Sequence, residues 1–327
     1  MKQEQSQGTE QGTDPRVIDW LLEESQPAVR YFALTDLLGY GSGDSEVKEA
    51  YAAISKKGWG HDILRQQKPD GRWQSSPRGS LYGPKYIATN WMSLILSDLG
   101  LTRENAKVRK TAELFFSEWM PPVGENIFKD EVCIVGNTAR MLTRFGYADD
   151  ARVGKLFRRL VEDQKDDGGW HCFKSETGTL DCWEGLGAYA ALPKPNRSKS
   201  ITRSIERGAE FYLERKLFDE GHRVYPPWFR FHYPNHYYYD LLVGLDVLTR
   251  LGYGGDRRLG PALEILKEKR RSDGRWLLDK VHPDLAAGAQ YSLRKKAYPF
   301  ALESAGKPSK WITLAALRVL KRVDRAT

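Results

Sequence analysis

The sequence has little cysteine, only three residues among 327. Three cysteines cannot form a disulfide framework, which excludes the small secreted domains that depend on one. Long apolar runs are also lacking, since none approaches the ~20 residues that a helix needs to cross a bilayer. Residues 1–15 are polar and contain neither the apolar core nor the cleavage pattern of a secretory signal. We therefore expect a cytoplasmic protein with a disordered tail over residues 1–15.

Several functional signatures are missing as well. The chain contains no P-loop, no Gly-rich dinucleotide motif and no Gly-x-Ser-x-Gly elbow. It also lacks zinc-finger, RRM and helix-turn-helix patterns. The net charge is +8 and the pI is about 9.2, but the basic residues are spread along helix faces. We interpret this charge as a solvated surface and expect no specific nucleic-acid partner.

Aromatic residues, in contrast, are plentiful, and one motif that contains tryptophan is repeated. The chain has ten Trp and sixteen Tyr. The sequence Asp-Gly-x-Trp occurs three times, and its tryptophans are Trp73, Trp170 and Trp276. The intervals between them are 97 and 106 residues, about the length of two helical hairpins with their loops. Such spacing predicts a repeat protein.

Helical periodicity dominates between the motifs, and it has two forms. One set of segments is charged on one face only, and we predict outer helices over 16–24, 45–55, 103–119, 150–164, 201–216 and 256–270. The other set is apolar on most sides, and we predict buried helices over 28–38, 89–99, 132–145, 180–192, 238–251 and 311–323. The two sets alternate. This pattern predicts an all-α domain over residues 16–327, a single (α/α)6 toroid with two concentric rings of helices.

The repeats and the alternating helices resemble the terpenoid cyclase and protein prenyltransferase superfamily. Its repeat is of the Gln-x-x-Asp-Gly-x-Trp type, and Gln67 and Gln164 occupy the glutamine position here, whereas Arg270 replaces it in the third copy. The resemblance implies an α/α toroid and an isoprenoid or similarly apolar ligand. It does not identify a reaction, because neither the Asp-x-Asp-Asp acid motif nor the Asp-Asp-x-x-Asp diphosphate motif of the superfamily occurs in this chain.

The resemblance also raises the question of zinc. Prenyltransferase β subunits hold zinc with an Asp, a Cys two residues later and a His, and the nearest residues here are Asp181, Cys182 and His236. Asp181 and Cys182 are adjacent, which departs from the superfamily's spacing and points their side chains about 100° apart on a helix. We therefore expect no metal cofactor. The alternative is zinc held by Cys172, Cys182 and His236.

Aromatic and acidic residues collect where the buried helices begin. If these helices run parallel, their N-termini meet at one mouth of a central cavity. The candidate substrate-binding residues are Trp91, Trp183, Trp228, Tyr238, Tyr239 and Trp311. The candidate catalytic acids and bases are Asp181, Glu184 and Asp240, and the candidate anion ligands are Lys85, Arg230, Lys307 and Lys310. The alternative interpretation makes these acids helix caps and these aromatics core filler.

We accordingly expect a divergent cyclase-like or prenyltransferase-like protein that binds an isoprenoid or similarly apolar substrate in an aromatic cavity. A glycan-active (α/α)6 hydrolase or lyase is one alternative, because such enzymes also combine aromatic clefts with paired acids. A non-catalytic binding scaffold is the other.

Overall fold

The computed structural model describes residues 14–73, 81–120, 131–221, 224–281 and 302–326. All but the last two residues of the predicted tail over 1–15 lie outside these ranges. Within them the chain is all-α and forms no β-strand beyond two isolated bridges. The helices are α1 (Pro15–Leu21), α2 (Pro27–Phe32), α3 (Ser45–Ala53), α4 (Gly58–Leu64), α5 (Thr89–Asp98), α6 (Ala106–Leu114), α7 (Val132–Leu142), α8 (Ala151–Asp163), α9 (Glu184–Ala191), α10 (Lys199–Glu214), α11 (Leu241–Leu251), α12 (Gly260–Glu268) and α13 (Lys310–Asp324).

Every helix predicted from periodicity has a counterpart. Single π-helical turns extend α2, α6 and α7 at their C-terminal ends, over Ala33–Leu37, Phe115–Trp119 and Thr143–Tyr147. Two buried helices begin later than predicted, α9 at Glu184 and α11 at Leu241. Helix α4 was not predicted from the sequence, because its two glycines weaken its helical pattern.

The buried helices form an inner layer around a cavity. Nine of the ten residues of α5 are buried, whereas only four of the thirteen residues of the outer helix α8 are. Helices α5, α7, α9, α11 and α13 contact one another in chain order, and α13 returns to contact α2. Helix α4 packs between α2 and α5. The inner helices therefore follow one another in a ring, as the predicted toroid requires.

The repeated motif holds outer helices to the turns that follow them. In each copy the indole Nε1 donates to the backbone carbonyl ten residues earlier, at 2.8–2.9 Å: Trp73 to Ile63, Trp170 to Leu160 and Trp276 to Leu266. Gln164 Nε2 donates to the carbonyls of Gly168 and Ser204, at 2.8 and 2.9 Å, and so joins its own turn to the next outer helix. The motif is thus structural, and chemistry has to lie elsewhere.

No helix of the described ranges is both long and apolar enough to cross a membrane.

Candidate functional site

The ring of inner helices encloses a cavity of about 380 Å³. All six inner helices or their π-helical extensions contribute to its wall, together with the segment that precedes α11. Where α9, α11 and α13 begin, the wall contains Trp183, His232, Asn235, Asp240 and Trp311. Towards the C-terminal ends of the inner helices it contains Asp36, Asp98, Arg140, Arg144, Asp246, Arg250 and Arg318. The cavity therefore has one aromatic end and one charged end.

A carboxylate and an imidazole lie side by side at the aromatic end. The Oδ2 atom of Asp240 is 2.8 Å from Nδ1 of His232 and also accepts the His232 backbone N–H at 3.0 Å. Oδ1 of Asp240 accepts the backbone N–H of Val243 at 2.9 Å and so caps α11. Both side chains are buried, with 4% of His232 and 1% of Asp240 exposed. Capping fixes the carboxylate, and the carboxylate in turn fixes the imidazole.

These contacts also assign the proton on the ring. Nδ1 of His232 faces two acceptors, Oδ2 of Asp240 and the carbonyl oxygen of Arg230 at 3.4 Å, so it must donate. In the neutral ring Nε2 is then the acceptor. Nε2 has no hydrogen-bond partner among the described residues. The pair is arranged as a histidine base with a carboxylate that orients it.

The charged end contains more arginine than aspartate. Arg144 and Arg140 face Asp98, Arg318 pairs with Asp36, and Arg250 and Arg322 both bond to Asp246, at 2.8 and 2.9 Å. We call these eight residues the arginine floor. Five arginines stand against three aspartates, which leaves an excess of two positive charges. The C-terminal ends of the inner helices offset part of this excess through their dipoles.

Two features of the arginine floor favour an additional anion. The Nε atoms of Arg140 and Arg318 are buried without a hydrogen-bond partner in the described part of the chain. Burial first, and neighbouring arginines as well, lower the pKa of Arg144 and of Arg318 to about 10, although Asp98 and Asp36 oppose the shift. Both features are those of cations that are short of negative partners.

Three of the residues singled out from the sequence line the cavity: Trp183, Asp240 and Trp311. Trp183 does not present a free ring face on both sides, because the Arg140 guanidinium lies 4.7 Å from its ring centroid. Trp311 stacks on Tyr233, with ring centroids 4.6 Å apart. His232 and the arginine floor were missed, since no motif marks them and their partners come from other elements.

The remaining candidates are not in the cavity wall. Trp228 is fully buried and donates from Nε1 to Asp181 Oδ1 at 2.7 Å. Tyr239 donates to the Leu217 carbonyl at 2.7 Å. Trp91 donates to the Tyr82 carbonyl at 2.7 Å. The polar atom of each of these three side chains is therefore bonded within the protein.

Tyr238 and Glu184 also lie outside the wall. Tyr238 stacks on Tyr237, with ring centroids 4.7 Å apart. Glu184 is buried between α7 and α9, where the backbone of Gly136 approaches it closely. Neither residue reaches the ligand space around His232 and Asp240 that the cavity defines.

The four rim cations have different surroundings. Lys85 Nζ bonds to the Tyr237 hydroxyl at 3.2 Å, and Lys310 Nζ bonds to Glu23 at 2.9 Å. Arg230 and Lys307 are exposed to solvent. The arginines whose Nε atoms have no partner among the described residues, Arg140 and Arg318, lie at the opposite end of the cavity.

The alternative zinc ligands are not assembled. Sγ of Cys172 and Sγ of Cys182 are 3.4 Å apart. His236, however, packs between the rings of Tyr86 and Trp91, with centroids 5.5 and 5.0 Å away. Across the described ranges, no group of three or more His, Cys, Asp or Glu side chains is arranged to hold a metal ion.

Comparison with known proteins gives a likeness of fold at low identity. No family model matches the chain, and no curated protein matches it. Among solved structures, an arginine-to-alanine variant of the type II terpene cyclase MstE from Scytonema, in complex with geranylgeranyl dihydroxybenzoate, is 14% identical with a TM-score of 0.47, over 93% of this chain and 88% of that chain. An aspartate-to-alanine variant of MstE in complex with merosterolic acid A is 13% identical with a TM-score of 0.33, over 86% of this chain and 97% of that chain.

Proposed function

We propose that the chain is an enzyme that binds an amphiphilic isoprenoid anion in its central cavity and transfers a proton through His232. The observation that carries this proposal is the His232–Asp240 pair in the wall of a cavity enclosed by the inner helices. A positioned histidine within a shielded cavity is the usual means of general acid–base catalysis. The resemblance of the repeats to isoprenoid enzymes supports the class of substrate.

The two ends of the cavity would hold the two parts of such a molecule. The apolar chain would lie against Trp183 and Trp311, and an anionic group would meet the free Nε–H groups of Arg140 and Arg318. Trp311 and Arg318 are seven residues apart on one helix, which separates them by about 10 Å at 1.5 Å per residue. An elongated ligand with one charged end fits this division, and a small symmetric ligand does not.

The geometry favours proton transfer by imidazole over protonation by a carboxylic acid. Three of the four aspartates in the cavity wall pair with arginine, and the fourth, Asp240, accepts hydrogen bonds on both oxygens. The described wall therefore has no carboxyl group left to act as a free acid. The same fact disfavours a glycan hydrolase, which needs two carboxyl groups across the substrate.

Asp240→Asn tests the role of the pair. Asparagine keeps a side-chain oxygen for the Val243 cap, but its amide no longer fixes the Nδ1 proton of His232. Two ligands are tested on the wild type and the variant, farnesyl diphosphate and its neutral counterpart farnesol. Binding is measured by calorimetry, and conversion by chromatography coupled to mass spectrometry. We expect the diphosphate to bind at least tenfold more tightly, and conversion by the variant to fall by about 10²–10⁴ while binding is retained.

Asp150→Asn is the matched control, because Asp150 caps the outer helix α8 through the Arg152 N–H in the same way. It should leave binding and conversion unchanged. If Asp240→Asn converts substrate at the wild-type rate, His232 and Asp240 have no catalytic role, and a binding scaffold becomes the better description. If neither the diphosphate nor farnesol binds, the assignment of the ligand class is wrong.

A further inference from the structure

The three cysteines of the chain meet at one place. Sγ of Cys182 donates to Sγ of Cys172 at 3.4 Å, and the Cys133 thiol lies close enough to the Cys172 thiol that each shifts the pKa of the other. Cys133 is in the first turn of α7, Cys172 follows the second repeat tryptophan, and Cys182 precedes α9. All three are free thiols. All three cysteines of a cysteine-poor chain thus lie in one cluster, which packing alone does not require.

The cluster contains one acceptor thiol and two donors. The hydrogen bonds from Cys133 and then from Cys182 lower the pKa of Cys172, and the same bonds raise the pKa of both donors. A thiolate is the nucleophilic form of cysteine. The arrangement therefore concentrates nucleophilic character on one sulfur and keeps a second thiol directly beside it.

The two thiols differ in access. Cys172 is half-buried, whereas Cys182 is only 5% exposed. A surface depression nearby is lined by the chain neighbours of Cys172, His171 and Phe173, and by two lysines and two carboxylates, Lys165, Lys174, Asp163 and Glu176, whose formal charges balance. Phe173 is 74% exposed. Cys172 is therefore the more accessible of the two thiols and the one that a reagent meets first.

We propose that Cys172 and Cys182 form a thiol–disulfide exchange pair whose substrate is a low-molecular-weight organic disulfide. The Cys172 thiolate attacks one sulfur of the disulfide, forms a mixed disulfide and releases the other half as a thiolate. Cys182, after loss of its proton, attacks Sγ of Cys172 and releases the second half. Two cysteines are oxidised, one external disulfide is reduced to two thiols, and the two thiol protons pass to the released thiolates.

The second attack needs little movement of the chain. The sulfurs must approach by about 1.4 Å to reach a bond length of about 2.05 Å. Cys172 belongs to an irregular segment between Trp170 and α9, and this segment can move Cys172 towards Cys182 by that distance. This inference does not depend on the function proposed for the central cavity, because none of the three cysteines lines it.

The test treats the reduced full-length protein with glutathione disulfide, blocks remaining thiols by alkylation, and maps the products by mass spectrometry. We expect the protein to lose the mass of two hydrogen atoms before alkylation, with Cys172 joined to Cys182, and then to gain one alkyl group on Cys133. Cys182→Ser should stop at the first step and accumulate one glutathione on Cys172. Cys172→Ser should give neither product.

Cys133→Ser is the matched control, since it removes the third thiol and leaves the exchanging pair. It should still form the Cys172–Cys182 bond, at a rate several-fold lower because one donor to Cys172 is weakened. A disulfide that includes Cys133 would overturn the assignment of the pair. So would a native mass that contains a bound metal ion with all three thiols protected, or alkylation of Cys172 no faster than that of free glutathione. The wild-type measurements decide the proposal even where a serine variant fails to fold.

Discussion

At the scale of single residues, Glu184 has the most unusual environment. Its carboxyl group is 1% exposed, and neither oxygen has a hydrogen-bond partner among the described residues. Burial first, and the neighbouring Cys172 second, raise its pKa well above the usual value. The folded protein thus retains a proton on Glu184 under conditions where the unfolded chain releases it. Glu184 does not line the cavity, and its effect on stability should be large.

Replacement of Glu184 by glutamine, which has the same shape and no charge, should flatten the pH dependence of stability. Above pH 4.5 the unfolded wild type loses the proton that the folded wild type keeps, so its free energy of unfolding falls by up to about 1.4 kcal/mol per pH unit. Glu184→Gln is free of this term. We expect urea unfolding at several pH values between 4.5 and 8 to show that the free energy of unfolding of the variant increases relative to that of the wild type as the pH rises. Parallel curves would show that Glu184 ionises normally.

At the scale of elements, the turn of the second repeat, which contains Gly168, packs closely against the outer helix α10. Gly168 has a φ of +89°, and a Cβ at this position would lie 2.4 Å from the Arg207 carbonyl oxygen on α10. The turn therefore needs both the left-handed conformation that glycine adopts easily and the absence of a side chain. These two requirements can be separated by experiment.

Gly168→Ala should destabilise the protein more than Gly221→Ala does. Gly221 also has a positive φ, +76°, but nothing lies within 4 Å of the position of its Cβ. The Gly221 variant should lose only the conformational term of about 1–2 kcal/mol, and the Gly168 variant should lose that term and a further 1–3 kcal/mol or so from the collision. Thermal unfolding of both variants gives the comparison. Equal losses would mean that α10 shifts freely to make room.

At the scale of the whole molecule, one ion pair joins the first and last inner helices. Arg318 on α13 pairs with Asp36 in the π-helical turn after α2. The arginine is 6% exposed in its side chain and the aspartate 37%, so only one partner depends fully on the pair. Loss of the aspartate would leave a buried cation where the ring closes.

Asp36→Asn should therefore lower the free energy of unfolding by about 1–3 kcal/mol, and the double variant Asp36→Asn with Arg318→Met should recover most of it. Methionine removes the buried charge and keeps much of the packing against Phe32, whose ring lies 4.2 Å from the guanidinium carbon. Chemical unfolding of the single and double variants measures the coupling. A double variant less stable than Asp36→Asn would show that the arginine stabilises the ring without its partner.

Much of this architecture could be predicted from local pattern. The helices followed from apolar periodicity, and Asp240 was recognised because an acid that opens an apolar helix needs a use or a partner. The starts of α9 and α11 were placed three to four residues early, because aromatic residues continue the apolar pattern before the helix begins.

The site itself was only partly predictable, since its key contacts are not local. His232 lies in an irregular segment, and only the fold turns it back towards Asp240. The arginine floor draws its eight members from five of the six inner helices and their extensions, so no spacing in the sequence marks it. Trp91, Trp228 and Tyr239 have the composition of a ligand pocket, but the backbone carbonyls and the carboxylate that bind their polar atoms were not visible in the sequence.

Hydrogen exchange at the three tryptophans of the repeat can measure how the ring of helices opens. Each indole N–H is bonded to the carbonyl of its own outer-helix end, in a different third of the chain. Exchange of such a proton for deuterium requires the hydrogen bond between the indole and its outer helix to break. Each indole therefore reports the opening of its own segment of the ring. Similar protection at all three would mean that the ring opens as one unit. Different exchange rates at the three indoles would show which segment of the ring opens first. That segment is where a ligand as large as the cavity could enter.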